Sequence, residues 1–332
     1  MPVAVVTGAS AGVGRATAVR LAEEGYDVAL LARGEAGLKA AAAEVEATGQ
    51  RALPIPTDVA DWEQVDDAAA RVEVELGFID VWVNNAMTTV FGAVEDVSAA
   101  EIRRTTEVTY LGQVHGTLAA LERMRPRDHG RIVNVGSALA FVGIPLQAAY
   151  CGAKFAVRGF TESVRAELLA DGSGVTISQV HLPALNTPQF GWCESKMDHE
   201  AMPVPPIYDV DVAARAIVAA ATDGRRSTMV GSWNSILVTF AQFLPGVVAH
   251  YAARTAVDAQ QTDQPEDPGR PSNLWSPVDD DHDVGPEGHF DHTGGVRSPA
   301  FLASVPRLTL DIGKSVVDQL IESARLLARQ AG

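Results

Sequence analysis

The sequence predicts a doubly wound α/β fold, a parallel sheet of about seven strands covered by helices on both faces, with a C-terminal extension. Three observations carry that prediction. Short apolar runs alternate with helix-length segments as far as Gly231, the runs are too apolar to face water on either side, and a glycine-rich turn follows the first of them.

Taken in order, the runs expected as strands are Val3–Thr7, Asp27–Leu31, Arg51–Thr57, Ile79–Asn84, Gly130–Gly136, Val175–Leu182 and Thr228–Gly231. They are rich in Val, Ile and Leu, as strands buried on both faces must be. Between them the apolar spacing is helical over Gly12–Glu24, Leu38–Thr48, Trp62–Leu76, Ala99–Met124, Ala149–Ala170 and Val210–Thr222. Ligands of such a fold are expected at the carboxyl ends of the strands.

Beyond Gly231 the pattern changes. Trp233 to Tyr251 is apolar, but Pro245-Gly246 interrupts it and Asn234, Gln242 and His250 lie within it, so it is expected to pack in the core or wall a pocket rather than span a bilayer. Residues 258–299 are read as an acidic, Pro/Gly-rich, mobile linker. Leu302–Ala328 places Ile312, Val316, Leu320, Ile321 and Leu327 on one face, which predicts a helix within 300–332 docked on the catalytic domain, 1–257, or on a second subunit. A homo-oligomer is expected.

The net charge is −16, and ten Asp or Glu against two Arg between Asp258 and Ala300 supply half of it. That balance repels phosphate backbones and anionic headgroups, so neither nucleic acid nor a membrane is an expected partner. Only Cys151 and Cys193 occur, with no disulfide or zinc spacing, and no basic leader precedes Val3; a cytoplasmic protein is expected. His282, His289 and His292 stand among acids without ligand spacing, and no metal site is predicted.

The chemistry begins at Thr7-Gly8-Ala9-Ser10-Ala11-Gly12-Val13-Gly14, between the first strand and the first helix. Glycines there let backbone amides and a helix N-terminus approach a pyrophosphate. The second strand ends at Arg33, with no carboxylate before Glu35. An acid at this position holds a free ribose 2′-hydroxyl and an arginine a 2′-phosphate, so NADP(H) is expected over NAD(H). Tyr150 and Lys154 stand four apart on one helix face, where a cation makes a phenol a usable acid and base. Ser137, at the end of the fifth strand, is placed to hold the oxygen that Tyr150 protonates.

T-G-x-x-x-G-x-G at Thr7 to Gly14, Asn84-Asn85-Ala86, Ser137, and Tyr150 with Lys154 together resemble the short-chain dehydrogenase/reductase family over about Val3 to Gly231. The resemblance implies a Rossmann-like fold and hydride transfer between a nicotinamide and a carbonyl or alcohol. It implies that Gly8, Gly12 and Gly14 shape the pyrophosphate turn, with Ser10 and Val13 along it. By the same resemblance Arg33 meets the 2′-phosphate, Asp58 the adenine, Asn85 and Ala86 the cofactor wall, and Ser137, Tyr150 and Lys154 form the catalytic set. Three positions depart from the family pattern. Met87 replaces a glycine, and Thr109 stands where an asparagine commonly serves a proton relay. Pro183-Ala184 replaces Pro-Gly, with Thr187 one residue early for the carboxamide.

Phe141, Phe190, Trp192 and Met197 fall in the segments expected to wall the substrate pocket, which favours an apolar small molecule. Two other functions stay open: a catalytically silent NADP-binding regulator, and a membrane-peripheral reductase of a lipophilic substrate.

Overall fold

The computed structural model describes residues 1–224 and 226–290. Its central sheet contains β1 (Val3–Thr7), β2 (Asp27–Ala32), β3 (Ala52–Pro56), β4 (Ile79–Asn84), β5 (Gly130–Ser137), β6 (Val175–Leu182) and β7 (Ser227–Met229). The strands lie in the order β3-β2-β1-β4-β5-β6-β7, and every neighbouring pair is parallel. The order reverses between β1 and β4, which opens a crevice at the carboxyl edge of the sheet.

The period of two along β1 explains how it is buried on both sides. Ala4 and Val6 enter one core with residues of helices α1 (Gly12–Glu23), α2 (Glu35–Ala47) and α7 (Val210–Asp223). Val3 and Val5 enter the other, with residues of α3 (Trp62–Glu75), α5 (Gly112–Met124) and α6 (Ala148–Ala170). Helix starts are chemically marked: the Asp61 carboxylate accepts from the Glu63 and Gln64 amides ahead of α3, and Ser98 with Glu101 forms a capping box on α4 (Ala99–Thr106).

The one helix expected over 99–124 is α4 and α5 joined by a π-helical turn at Glu107–Leu111. Trp233–Tyr251 falls in two helices, α8 (Ser232–Phe243) and α9 (Pro245–Thr255), because Pro245 starts a new helix rather than continuing the old one. Among the described residues no helix is long and apolar enough to cross a membrane.

Residues 261–290, part of the stretch read from composition as a mobile linker, lie against the elements that build the sheet and its helices. Gln261–Pro265 pairs antiparallel with the short strand His199–Ala201. The segment that follows, here called the strap, runs along the carboxyl edge of the sheet. Its Asn273 amide donates to the Trp192 carbonyl at 2.8 Å, and its Leu274 is fully buried. Arg15 of α1 bonds the Asp283 carboxylate, and Arg104 of α4 donates to the Leu274 carbonyl at 3.0 Å. Composition misses this because acids that would repel one another in solution meet arginines and helix-start amides here. The terminal helix expected within 300–332 lies outside the described residues.

Candidate active site

The turn after β1 is shaped by how closely its neighbours approach. Gly8 has φ +66°, and a Cβ there would meet the Ala86 Cα at 2.8 Å; one on Gly14 would fall 2.0 Å from the Gly8 carbonyl oxygen. The tip of β4 is tied to this turn. The Thr7 hydroxyl accepts from the amides of Asn85 at 2.9 Å and Ala86 at 3.1 Å, and the Asn85 carboxamide donates to the Thr7 carbonyl at 3.0 Å. Below it Asn84 donates to Asn134 at 2.8 Å and Asn134 to Thr161 at 2.9 Å, all buried, which locks β4, β5 and α6 in register at the crevice.

The crevice opens into one cavity of about 580 Å³. Gly8, Ser10, Gly12, Val13, Arg33, Asp58, Asn85 and Ala86 line one end of it, beside the glycine turn, and Ser137, Tyr150, Lys154, Pro183 and Thr187 the other. Thus most residues singled out in the sequence meet around one space. Gly14 sits beneath it, packed on Gly8.

Thr109, at the position where the family commonly has a relay asparagine, does not line it. Its fully buried hydroxyl donates to the Thr88 carbonyl at 2.7 Å and accepts from the Thr88 amide at 3.0 Å, so it holds the loop after β4. Met87 lines the cavity without a strained backbone.

The end lined by Ser137, Tyr150 and Lys154 is built by β5 and α6. Tyr150 and Lys154 lie on successive turns of α6, with the ammonium 5.6 Å from the phenol ring. Burial pushes the Tyr150 phenol up, and the Ser137 hydroxyl bonded to it pulls the other way. Ser137 itself is held by the Leu139 amide, which donates to its oxygen at 3.1 Å. Lys154 is 1% exposed and donates to the Val135 carbonyl at 2.8 Å; burial pushes it down to about 7. Behind Ser137 lies His181, which burial pushes down to about 4, so it is neutral and packs edge-on against Phe141 with ring centres 4.7 Å apart. Nothing in the sequence marks His181 apart from its place in β6.

At the end beside the glycine turn Asp58 pairs with Arg104 at 2.6 Å, a partner the sequence does not announce. The Arg33 guanidinium donates to the carbonyls of Asn273 and Trp275 in the strap, and the Gly12 amide donates to the Gly285 carbonyl at 3.3 Å. A turn that only glycine can make, opening on a helix N-terminus, fits a dinucleotide pyrophosphate.

The apolar wall of the cavity differs in part from expectation. Phe190 and Trp192 line the cavity, while Phe141 stacks beneath Arg158 and Met197 packs with Phe91 and Phe190 in a small separate cluster. Val142, Ile144, Met202 and, from α8 and α9, Leu237, Val248 and Tyr251 complete an apolar wall. Among the described residues no group of three or more His, Cys, Asp or Glu could hold a metal ion.

The family model described as short chain dehydrogenase matches residues 2–197. The chain is 32% identical to an uncharacterized oxidoreductase, YxnA, of Bacillus subtilis (strain 168), over 85% of this chain and 80% of that protein. It is 30% identical to a 3-ketodihydrosphingosine reductase of Bos taurus, over 69% of this chain and 70% of that one. Among solved structures it resembles an alcohol dehydrogenase of the archaeon Thermococcus sibiricus complexed with 5-hydroxy-NADP. There the TM-score is 0.60 and the identity 27%, covering 69% of this chain and 95% of that one.

Proposed function

Since this chain belongs to the short-chain dehydrogenase family of oxidoreductases, we propose that it interconverts an apolar carbonyl and its secondary alcohol with NADP(H), using Tyr150 as proton carrier. The observation that carries this is the convergence of Ser137, Tyr150 and Lys154 on one end of a cavity whose other end is the glycine turn. A nicotinamide dinucleotide, when bound, supplies or accepts the hydride.

The chain's own residues do the remainder. The glycine turn and the start of α1 hold the pyrophosphate. The Ser137 hydroxyl holds the substrate oxygen, and Tyr150 gives it a proton in reduction or takes one in oxidation. Burial keeps the Tyr150 phenol protonated at neutral pH, so it carries a proton to give, and the Ser137 hydrogen bond acts against that burial to ease its release. Lys154, titrating near neutrality, places positive charge beside the phenolate as it forms. Thr109 acts as a positioning residue for the β4 loop. Arg33, at the end of β2 where the adenosine ribose belongs, favours the 2′-phosphate of NADP(H), and the Thermococcus relative was solved with an NADP derivative. An apolar wall is suited to a hydrocarbon-bearing ketone and leaves few groups to bind a sugar.

Following NADPH oxidation by the full chain over ketones, aldehydes and sugars of graded apolarity tests the reading. Turnover should rise with substrate apolarity; absence of turnover across the panel contradicts it.

A membrane-peripheral reductase of a lipophilic substrate is favoured by one observation. Ile236, Phe240, Phe243 and Leu244 are exposed on and just after α8, the helix whose Leu237 lines the cavity. Co-sedimentation with neutral liposomes, lost in Phe240→Ser/Phe243→Ser, separates this reading from that of a protein which ignores the bilayer.

A further inference from the structure

The strap brings a carboxylate to the cavity wall at the end of β2, where a doubly wound fold places an adenosine ribose. Asp279 is 5% exposed, and its Oδ2 is buried without a hydrogen-bond partner. The group lies flat on two glycines. A Cβ on Gly34 would fall 2.0 Å from its Oδ1, and one on Gly37 would fall 2.4 Å from its Oδ2 and 2.8 Å from the Ser10 Cβ. It therefore stands between the end of β2 and the phosphate turn, on the wall of the cofactor cavity and beside Arg33.

The same few strap residues take the amides at the start of α2. The Asp279 carbonyl accepts from Gly37 at 3.1 Å, the Asp280 carbonyl from Ala36 at 3.2 Å, and the Asp280 carboxylate from Glu35 at 3.1 Å. These are the donors, with Arg33, that an anionic substituent on the ribose would use. Here they are already occupied by chain oxygens and carboxylates.

We propose that Asp279, delivered by the C-terminal strap rather than by β2, is a specificity-determining residue at the ribose 2′ position. It accepts from a free 2′-hydroxyl and repels a 2′-phosphate, in opposition to Arg33. The two charges make the NADP(H) to NAD(H) ratio a balance between β2 and the strap. The unpaired Oδ2 is the acceptor left for the hydroxyl, and Gly34 and Gly37 are the residues that make room for the carboxylate. The proposal rests on a nicotinamide dinucleotide occupying this cleft.

The test measures NADPH and NADH affinity in the full chain by titration of nicotinamide fluorescence. Asp279→Asn keeps the shape and removes the charge. It should tighten NADPH about tenfold, because two like charges at close range are no longer opposed, and weaken NADH several-fold. Asp279→Ser, a smaller side chain that opens the space over Gly34, should move the ratio the same way if the first variant folds poorly. Asp263→Asn makes the same change of net charge on an exposed residue before the strap and should leave the ratio within about twofold. If Asp279→Asn and Asp279→Ser leave the ratio unmoved while both dinucleotides bind, the assignment of Asp279 is overturned and the cleft reading stands. An equal change in Asp263→Asn overturns it too, by showing a long-range charge effect. If the unmutated chain binds neither dinucleotide, the reading of the cleft falls, and the proposal with it.

Discussion

Replacing Lys154 by methionine separates what the amine does for the fold from what it does for the chemistry. The side chain is 1% exposed with one hydrogen bond, to the Val135 carbonyl, and burial pushes its titration from 10.5 down to about 7. The folded value lies below the unfolded one, so protons bind the unfolded chain more tightly. Stability is full at high pH, is lost as pH falls from about 10.5 toward about 7, and changes little below that. The gap corresponds to about 5 kcal/mol. Methionine has a similar volume and does not titrate, and loss of the Val135 hydrogen bond costs about 0.5–1.5 kcal/mol. The Lys154→Met apoprotein should thus be more stable than the parent by about 3–4 kcal/mol at about pH 6, and that advantage should shrink by about 2–3 kcal/mol at about pH 9. Its turnover should fall with loss of the charge beside Tyr150. Urea unfolding of both proteins across this range reads the difference directly. Parallel stability profiles for the two, or a variant less stable throughout, would refute the reasoning.

Three other perturbations follow from the same geometry. Arg33→Asp should weaken NADPH binding by about 1.5–3 kcal/mol, the worth of a charge-assisted bond to phosphate, and NADH much less; equal catalytic efficiency of the unmutated chain with both cofactors contradicts the NADP(H) preference. Asn134→Ala should lower stability by about 1–3 kcal/mol in thermal or urea melts, because the buried carboxamide of Asn84 and hydroxyl of Thr161 both lose a partner. Gly14→Ala should abolish dinucleotide binding in a fluorescence titration, since its Cβ would collide with the Gly8 carbonyl and displace the turn, and unaltered affinity would show that the turn tolerates the shift.

Periodicity served well where bonds are local. Val3–Thr7, Ile79–Asn84 and Val175–Leu182 have the same bounds in the structure as in the sequence reading, because continuous apolar runs between helical segments have few other ways to be buried on both sides. The gathering of the candidate site was legible for a related reason: Gly8 to Gly14, Ser137, Tyr150 and Lys154 sit at strand ends or on one helix face, and topology alone brings such positions together. What stayed hidden depends on contacts between distant segments. The bonds of Arg33 to Asn273 and Trp275 span some 240 residues, and the acid-rich composition of 258–299 pointed away from packing. The bonds of the Thr109 hydroxyl to the Thr88 backbone are of the same kind, since its position along the chain matches a relay residue and does not announce them. The register that turns it there runs through a π-helical turn, which no apolar spacing announces.

The central claim is that the chain moves a hydride to a carbonyl carbon and that Tyr150 moves the proton. Single-turnover mixing of the full chain, NADPH deuterated at the transferable position and an apolar ketone, with mass analysis of the alcohol, tests both together. With the unmutated chain deuterium should appear on the carbinol carbon. In Tyr150→Phe the rate should fall by about 10² to 10⁴, with NADPH affinity nearly unchanged. Transfer at the same rate in Tyr150→Phe, or product alcohol without deuterium, would contradict it.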